Sequence, residues 1–459
     1  MHIWLTDNNY NSPKRLSDIP CENRTSTLEE LHKIADVNIS NLRKDSSFFV
    51  FSNKDKIEDK NIISIERNGE DYNIITGNIA GFIGVNEVQL TIQSRFSKTE
   101  VNQDKAEEKR NDFFLHYMLS KVFNINLLKF QHEEKRGSLF DFLVFLFPFF
   151  LKRALRKGLL RTYVKFECDD SNIKGSVNVQ RYLKKDYPFM GRIAYDKREY
   201  TADNSITELV RHTIEFIKSG SYSSIIFDKD VSANVKRVVE VTPMYDRAKR
   251  ESVINRNLRP VRHPYYSEWT DLQRICLMIL RHNKLNYAES KDKIYGIVFD
   301  VAWLWEEYLN TLLHPMGFVH PRNKENSDAI YLFRGNEDTN ENKLSGDRYP
   351  DFYNDYCVLD AKYKRFETKG SISSIGRDDL HQMITYMYII NSHPQNGVFL
   401  FPVEHKNSLI PGLKLNGYGG TIRAVGHLIP QDAHSYNDFC EKMKAYASDF
   451  TDYLKYLNS

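Results

Sequence analysis

The residues with the clearest chemical content lie in the stretch GDRYPDFYNDYCVLDAKYKRF. It contains Asp351, then Asp360 nine residues later, and Lys362 two residues beyond that. If YCVLDAKYK forms a β-strand, its side chains alternate, so Asp360 and Lys362 share one face while Ala361 and Tyr363 share the other. An acid and a base side by side at the end of an apolar strand are candidates for a hydrolytic or metal-binding site.

The preceding PDFY is expected to form the partner strand of a hairpin that turns at Asn354-Asp355, which brings Asp351 close to Asp360. Two such carboxylates raise each other's pKa, and a hard divalent cation relieves the repulsion by taking their oxygens as ligands. A neighbouring lysine can position or deprotonate a metal-bound water, or stabilise negative charge on a phosphate. An ordinary strand ion pair, with Asp351 capping a turn, is the alternative that a bare D-x-K pattern leaves open.

PDFYNDYCVLDAKYK resembles the PD-(D/E)xK nuclease motif. Members of that superfamily often carry an extra acidic ligand on an upstream helix, and LWEEYL offers Glu306 or Glu307, of which only one can face the site. The match to LWE favours Glu306. Downstream, HQMITYMY places Gln382 and Tyr386 four residues apart on one helix face, similar to the Q-x-x-x-Y helix of RecB-type members. Lys364 either contacts DNA or is simply solvated.

The wider chain resembles the McrC family between about residues 78 and 402. The likeness is carried by GNIAGFIGVNEVQLTIQSRFSK near the amino terminus and by FLKRALRKGLLRTYVKFECDDSNIKGSVNVQRYL in the centre. This family supplies the nuclease subunit of methylation-dependent restriction systems and works with a GTP-hydrolysing AAA+ partner. The resemblance therefore implies an endonuclease that cleaves double-stranded DNA beside an McrB-type AAA+ GTPase.

The same resemblance implies the roles of the site residues. One or two Mg²⁺ ions, for which Mn²⁺ would substitute, are expected on Asp351, Asp360 and Glu306. Lys362 would orient the attacking water or offset charge in the transition state. The last two catalytic candidates, which would hold the site or the DNA backbone, are Gln382 and Tyr386.

Two rival functions stay open. One is a RecB-like DNA-processing exonuclease, and the other is a non-catalytic stimulator of the AAA+ partner. The chain has no G-x-x-x-x-G-K-[ST] phosphate loop, so it is not expected to hydrolyse a nucleotide itself.

Hydrophobic patterning predicts an α+β multidomain protein. Short strand-like runs predict a β-rich amino-terminal domain over residues 1–105, and the resemblance implies that this domain docks onto the partner. Residues 106–265 read as a mostly helical central region with a strand pair, and residues 266–459 as an α/β nuclease domain with a mixed sheet, resembling restriction endonucleases.

Local signals add four expectations. The polar segment SKTEVNQDKAEEKRND lacks periodicity and is expected to be a linker or exposed loop. The strand pair of the central region should turn near Gly175. Asp203 or Asn204 should cap a helix, and another helix should begin at about Ser267.

Composition limits the binding sites and the cellular location to be expected of the protein. A formal net charge of +3 excludes a bulk polycation, so any nucleic-acid surface must be a local patch. The five cysteines show no CxxC spacing, which argues against zinc and iron–sulfur sites and favours a reducing compartment. The apolar run LFDFLVFLFPFFL is too short to span a membrane and is expected to be a buried helix broken near Pro148. Without a signal-peptide pattern, a cytoplasmic location is expected.

Overall fold

The protein is described by a computed structural model that covers residues 1–457 apart from fifteen gaps. These gaps are residues 22, 43–47, 53–60, 87, 103–106, 124–138, 221, 262, 286–293, 322–327, 336–343, 365–374, 391, 406–409 and 418. Contacts divide the chain into two compact units. Unit 1 combines Met1–His132 with Asp292–Ser459, and unit 2 is Glu133–Lys291.

Strands and helices alternate along most of the described chain. The β-strands are β1 His2–Thr6, β2 Lys14–Arg15, β3 Phe48–Phe51, β4 Ile63–Asn68, β5 Asp71–Thr76, β6 Ile79–Val85, β7 Val88–Gln93, β8 Lys98–Asn102, β9 Glu107–Asn111, β10 Thr162–Asp170, β11 Ser176–Val177, β12 Ile193–Thr201, β13 Ile294–Asp300, β14 Ile330–Arg334, β15 Leu344–Arg348, β16 Phe352–Tyr353, β17 Cys357–Ala361, β18 Asn396–Val403, β19 Ile410–Lys414 and β20 Thr421–Leu428. The α-helices are α1 Arg24–Ala35, α2 Ile39–Leu42, α3 Phe113–Val122, α4 Leu139–Arg156, α5 Val179–Lys185, α6 Ser205–Lys218, α7 Ser223–Phe227, α8 Lys229–Glu240, α9 Arg250–Arg256, α10 Ser267–Leu285, α11 Val301–Leu313, α12 Arg377–Ile389 and α13 Tyr436–Leu457.

The first sheet of unit 1 has the order β1-β7-β6-β13-β3. β1 lies parallel to β7, and β13 lies antiparallel to β6 and parallel to β3. Gly81 of β6 and Gly296 of β13 allow this close pairing, because a Cβ at either position would fall within 2.2 Å of a carbonyl oxygen on the opposite strand. A strand from residues 294–300 thus completes a sheet otherwise built from the first hundred residues. The sequence division into segments 1–105, 106–265 and 266–459 did not anticipate that a strand from the last segment joins a sheet of the first.

Further β-structure surrounds this sheet. β2, β5 and β4 form a small antiparallel sheet, and Leu16, Ile63 and Ile74 are buried in the same core as the first sheet. The polar segment expected to be a linker instead forms the antiparallel pair β8 and β9, with Lys98 opposite Asn111. That expectation was wrong because backbone hydrogen bonds between the two strands do not require apolar and polar residues to alternate.

The second large sheet of unit 1 has the order β16-β17-β18-β20-β19. β17, β18 and β20 run parallel, and β16 and β19 pair antiparallel at the two edges. The prediction of α+β architecture with a mixed sheet is confirmed. Helix α12 buries Met383, Tyr386 and Met387 in a core with Val358 and Phe399 of the two central strands. This arrangement holds α12 against the strand that carries the candidate aspartate and lysine.

Unit 2 is mainly helical, and its α4 helix runs unbroken through Pro148. The predicted break there is wrong. A proline inside a helix costs roughly 3 kcal/mol, but Phe147, Phe150 and Leu151 on either side of it are completely or almost completely buried. Their burial outweighs the lost hydrogen bond. No helix among the described residues is long and apolar enough to cross a membrane.

The rest of unit 2 follows local sequence signals more closely. The predicted strand pair exists as β10 and β11, but the two strands pair with β12 between them rather than with each other. The side chain of Asn204 caps α6 by accepting from the amides of Ile206 and Thr207, as predicted. Helix α10 begins at Ser267, as predicted, although it belongs to unit 2 rather than to the nuclease segment.

Candidate active site

The predicted hairpin positions the two aspartates. β16 and β17 pair antiparallel, and the side chain of Asn354 closes the turn by accepting from the amides of Tyr356 and Cys357. Asp351 precedes β16, and its Oδ2 accepts a hydrogen bond of 2.8 Å from the amide of Ala361. Asp351 therefore reaches across to the end of the strand that carries Asp360.

Asp360 and Lys362 lie on one face of the strand, as the alternation predicted. Lys362 Nζ is 2.8 Å from Asp360 Oδ2. The backbone amide of Lys362 also donates to the carbonyl of Leu400 at 2.9 Å, which extends the pairing of β17 with β18 past Ala361. The lysine is therefore held on the regular edge of a sheet, at a fixed distance from the acid.

A third carboxylate, Asp379 in the first turn of α12, contacts both lysines of the motif. Its Oδ1 is 3.0 Å from Lys362 Nζ, and its Oδ2 is 2.8 Å from Lys364 Nζ. Burial alone would raise the pKa of Asp379, but the two lysines outweigh it and hold that pKa below its usual value. The sequence left two interpretations for Lys364, DNA contact or solvation. The structure adds a third, an ion pair within the site.

Lys362 remains a cation around neutral pH. Burial lowers its pKa, but the charges and hydrogen bonds of Asp360 and Asp379 more than compensate, so the net pKa lies above the usual value. A protonated amine cannot accept a proton. In the metal-free chain, Lys362 can therefore orient a water molecule or offset negative charge by donating hydrogen bonds.

Asp360 has the electrostatic environment of a cation ligand. Its side chain is buried, and burial together with the charge of Asp351 raises its pKa from 3.8 to about 7, against the opposing effect of Lys362. The lysine thus offsets only part of the negative charge that the two aspartates bring together. Oxygen donors with surplus negative charge fit a hard cation such as Mg²⁺, which binds one or two carboxylates and keeps several waters.

His320 lies between Glu306 and the hairpin and contacts both. Glu306 is buried on α11, and its Oε1 lies 3.9 Å from His320 Nε2, as does Oε1 of Glu307. His320 Nδ1 donates to the backbone carbonyl of Asp351 at 2.7 Å. Burial lowers the pKa of His320. The hydrogen bonds and charges of Glu307, the Asp351 carbonyl and Glu306 raise it by more, so the net pKa lies above the usual value.

The structure does not gather Glu306 into a ligand group with Asp351 and Asp360. Across the described ranges, no three His, Cys, Asp or Glu side chains are arranged so that they could hold a metal ion. The fit to a divalent cation therefore depends on the two hairpin aspartates, and a ligand role for Glu306 stays a prediction.

Gln382 and Tyr386 lie together on α12, as their spacing predicted. Gln382 Nε2 donates to the hydroxyl of Tyr386 at 2.6 Å. Burial raises the pKa of Tyr386, the bond from Gln382 lowers it, and the charges of Asp351 and Asp360 raise it further. The tyrosine hydroxyl is therefore within electrostatic reach of both hairpin aspartates.

Two residues of this cluster, Asp379 and His320, were not identified from the sequence. Asp379 had a usable signal, because with Gln382 and Tyr386 it forms an i, i+3, i+7 series on one helix face. His320 had none. Its position depends on the backbone bridge between Val319 and Tyr353, which is not local in the sequence.

Comparison with known proteins gives the family of this chain. The family model described as McrBC 5-methylcytosine restriction system component matches residues 74–402. The chain belongs to this family. The predicted McrC-type identity is thereby confirmed, and the matched range includes both hairpin aspartates, Lys362 and α12.

Two solved structures match the McrBC-family chain, and the first of them resembles it in fold. One is a refined half-complex from a tetradecameric assembly of Thermococcus gammatolerans McrB AAA+ hexamers with bound McrC, at 17% identity, a TM-score of 0.51, and coverage of 97% of this chain and 100% of that one. The other is the cryo-EM structure of the T. gammatolerans McrBC complex, at 15% identity, a TM-score of 0.32, and coverage of 71% and 90% respectively. No curated protein sequence matches the chain.

Proposed function

We propose that this McrBC-family chain is the endonuclease subunit of a modification-dependent restriction complex. It would cleave double-stranded DNA at phosphodiester bonds in a PD-(D/E)xK site and stimulate an McrB-type AAA+ GTPase, in the cytoplasm. The observation that carries the proposal is the hairpin that brings Asp351 beside Asp360 and fixes Lys362 Nζ 2.8 Å from Asp360. An ordinary strand ion pair does not require a second acid, Asp351, whose negative charge repels that of the buried Asp360.

The residues of the site have separate roles in this proposal. Asp351 and Asp360 would hold Mg²⁺ or Mn²⁺, with Glu306 as the predicted third ligand. When bound, the metal lowers the pKa of a water ligand and neutralises charge on the scissile phosphate. Lys362, fixed as a cation between two carboxylates, donates hydrogen bonds to the phosphate oxygens or to the attacking water. Gln382 and Tyr386, which are hydrogen-bonded to each other on α12, would hold the site or the DNA backbone.

The partner is proposed from the family and from exposed surface on unit 2. In the T. gammatolerans assembly, McrC is bound to McrB AAA+ hexamers. The β10–β12–β11 ribbon, helix α5 and the segment after α5 expose large apolar side chains. They include Tyr163, Leu183, Tyr187, Phe189, Met190 and Tyr200. Exposed apolar clusters of this kind mark protein-binding surfaces, and we assign this one to the AAA+ partner in addition to the amino-terminal domain for which docking was predicted.

Lys362→Ala tests the proposal, with the full chain, the AAA+ partner, GTP, Mg²⁺ and DNA that carries 5-methylcytosine. Cleavage should fall at least a hundredfold while stimulation of GTP hydrolysis is unchanged, because the lysine contributes to chemistry and not to docking. Lys442→Ala is the matched control, since Lys442 Nζ also lies near two carboxylates, Asp432 at 2.9 Å and Asp438 at 3.4 Å, at the start of α13.

The rival functions predict other results. Cleavage by Lys362→Ala at the wild-type rate would contradict the assigned site. If the wild-type chain stimulates GTP hydrolysis but never cleaves, the chain is the non-catalytic stimulator. If it degrades DNA from the ends without partner or GTP, it is the RecB-like exonuclease.

A further inference from the structure

A buried cluster joins the first sheet of unit 1 to the strand that carries Lys362. Thr6 at the end of β1 pairs with Gln93 at the end of β7, and the two strands are parallel, so the residues that follow them emerge at the same edge of the sheet. Asp7 follows one strand and Arg95 follows the other. Tyr363, the residue directly after Lys362, reaches this edge.

The contacts within the cluster are specific. The guanidinium carbon of Arg95 lies 4.3 Å from the centroid of the Tyr363 ring. Asp7 Oδ1 accepts from the backbone amide of Arg95 at 2.8 Å. Asn8 Nδ2 donates to the backbone carbonyl of Tyr363 at 3.4 Å. Both the ring and the backbone of Tyr363 are therefore held by residues at the carboxyl ends of β1 and β7.

The guanidinium of Arg95 is buried against aromatic rings. Only 9% of its surface is exposed, and among the described residues its two terminal nitrogens form no hydrogen bond. Apart from Tyr363, its guanidinium lies over the ring of Phe96, at 5.1 Å. A buried guanidinium is costly unless something compensates it, and the ring of Tyr363 and the negative charge of the buried Asp7 beside it both do so here. The position of the Tyr363 ring is thus closely linked to that of Arg95.

Because side chains alternate along the strand, the residue that contacts Arg95 lies next to a residue of the candidate active site. Lys362 faces Asp360 and Asp379, whereas Tyr363 faces the sheet edge. Since the two residues are adjacent, the backbone segment held by the contacts of Tyr363 also carries the Lys362 amine. A displacement of about 1 Å at a reacting group can cost about a hundredfold in rate.

We propose that Arg95 is a positioning residue for DNA cleavage, acting through Tyr363 on Lys362. The inference depends on the proposed nuclease function. It assigns to the amino-terminal sheet a part in arranging the catalytic strand, in addition to any part in binding a partner.

Four substitutions test the contact in the full chain with the AAA+ partner, GTP and Mg²⁺. Arg95→Met and Tyr363→Leu remove the cation and the ring, so each should lower the single-turnover cleavage rate of 5-methylcytosine DNA about 10- to 100-fold. Arg95→Lys and Tyr363→Phe keep the cation and the ring and should stay within a few fold of wild type. The double variant Arg95→Met/Tyr363→Leu should be no slower than its slower parent, because both changes remove one contact.

Other measurements separate positioning from general damage. DNA affinity and stimulated GTP hydrolysis should be unchanged in Arg95→Met, since neither depends on the Lys362 amine. If both fall together with cleavage, Arg95 is merely structural and the proposal is wrong. If Arg95→Met does not fold, the comparison of Tyr363→Leu with Tyr363→Phe decides, and equal rates for these two overturn the proposal.

The outcome is distinguishable from failure of the nuclease function itself. If wild type does not cleave, or Lys362→Ala cleaves normally, the proposed function is wrong. If wild type cleaves, Lys362→Ala does not, and Arg95→Met cleaves at the wild-type rate, only the positioning role of Arg95 is wrong.

Discussion

Asp360→Asn is expected to make the metal-free protein more stable at pH 8, although it removes a carboxylate that contacts a lysine. Burial, and then the charge of Asp351, raise the pKa of Asp360 in the folded chain from 3.8 to about 7, and Lys362 at 2.8 Å offsets only part of this effect. The ionised carboxylate is therefore a net cost to the folded state. Asparagine has nearly the same shape and no charge.

The size of the effect follows from the two pKa values. From 3.8 to about 7 is roughly three pKa units, and at 1.36 kcal/mol per unit the ionised side chain costs the folded state about 4 kcal/mol at pH 8. Because the folded pKa is the higher one, the contribution of the Asp360 proton to stability is complete below pH 3.8 and is lost as the pH rises through 7. We expect Asp360→Asn to gain about 2–4 kcal/mol at pH 8 and progressively less toward pH 4.

Thermal unfolding after removal of metal, at pH 5 and pH 8, measures this gain. Trp303 and Trp305 on α11 report on unit 1 by fluorescence. A change of 1 kcal/mol moves Tm by about 1.5–2 °C in a protein unit of this size. Adding Mg²⁺ should then stabilise wild type but not the variant, because the ion binds the folded site only when Asp360 is ionised.

Asp379→Asn is the matched control, since the same change in the same cluster should have the opposite sign. The two lysines hold the pKa of Asp379 below its usual value, so its ionised form stabilises the folded chain above the unfolded pKa and loses that effect as the pH falls. This variant should therefore be less stable than wild type at pH 8. If Asp360→Asn gains no stability at pH 8, or gains equally at pH 5, the electrostatic account of the site is refuted. If Mg²⁺ stabilises wild type and Asp360→Asn equally, the ion binds elsewhere.

Three further outcomes are expected. In single-turnover assays, Glu306→Gln should reduce the cleavage rate about tenfold or more and Glu307→Gln only slightly, because Glu306 is the more buried acid beside His320. Equal effects would contradict the choice of Glu306. Mn²⁺ should replace Mg²⁺, whereas Ca²⁺ should permit DNA binding with little cleavage, and activity that survives exhaustive chelation would rule out a metal mechanism. Tyr386→Phe should lower the rate a few fold by removing the hydroxyl that Gln382 contacts at 2.6 Å, and an unchanged rate would assign the pair to packing alone.

The hairpin was predictable because its determinants are local. Alternation places Asp360 and Lys362 on one face, and Asn354 supplies the side-chain oxygen that closes the turn. The spacing of Gln382 and Tyr386 likewise needs only one helix. These are the parts of the candidate site for which residue type and short-range geometry are sufficient.

The parts that were missed depend on contacts distant in the sequence. Nothing near Pro148 indicates that buried neighbours keep α4 intact. Nothing near His320 indicates that its ring donates to the carbonyl of Asp351, 31 residues away. Short-range patterns also cannot show that β13 pairs with β6, some two hundred residues earlier in the chain.

The placement of β13 makes the amino-terminal sheet and the candidate active site parts of one structure. β13 lies between β6 and β3, and α11, which carries Glu306, begins directly after it, with Asp300 as its cap. Tyr363 meets the same sheet through Arg95. A fragment that ended before residue 294 would lack the strand that joins β3 to the rest of the sheet, so its failure to bind a partner would report a broken sheet. Single substitutions in the full chain avoid this ambiguity, because they leave every strand of the sheet in place.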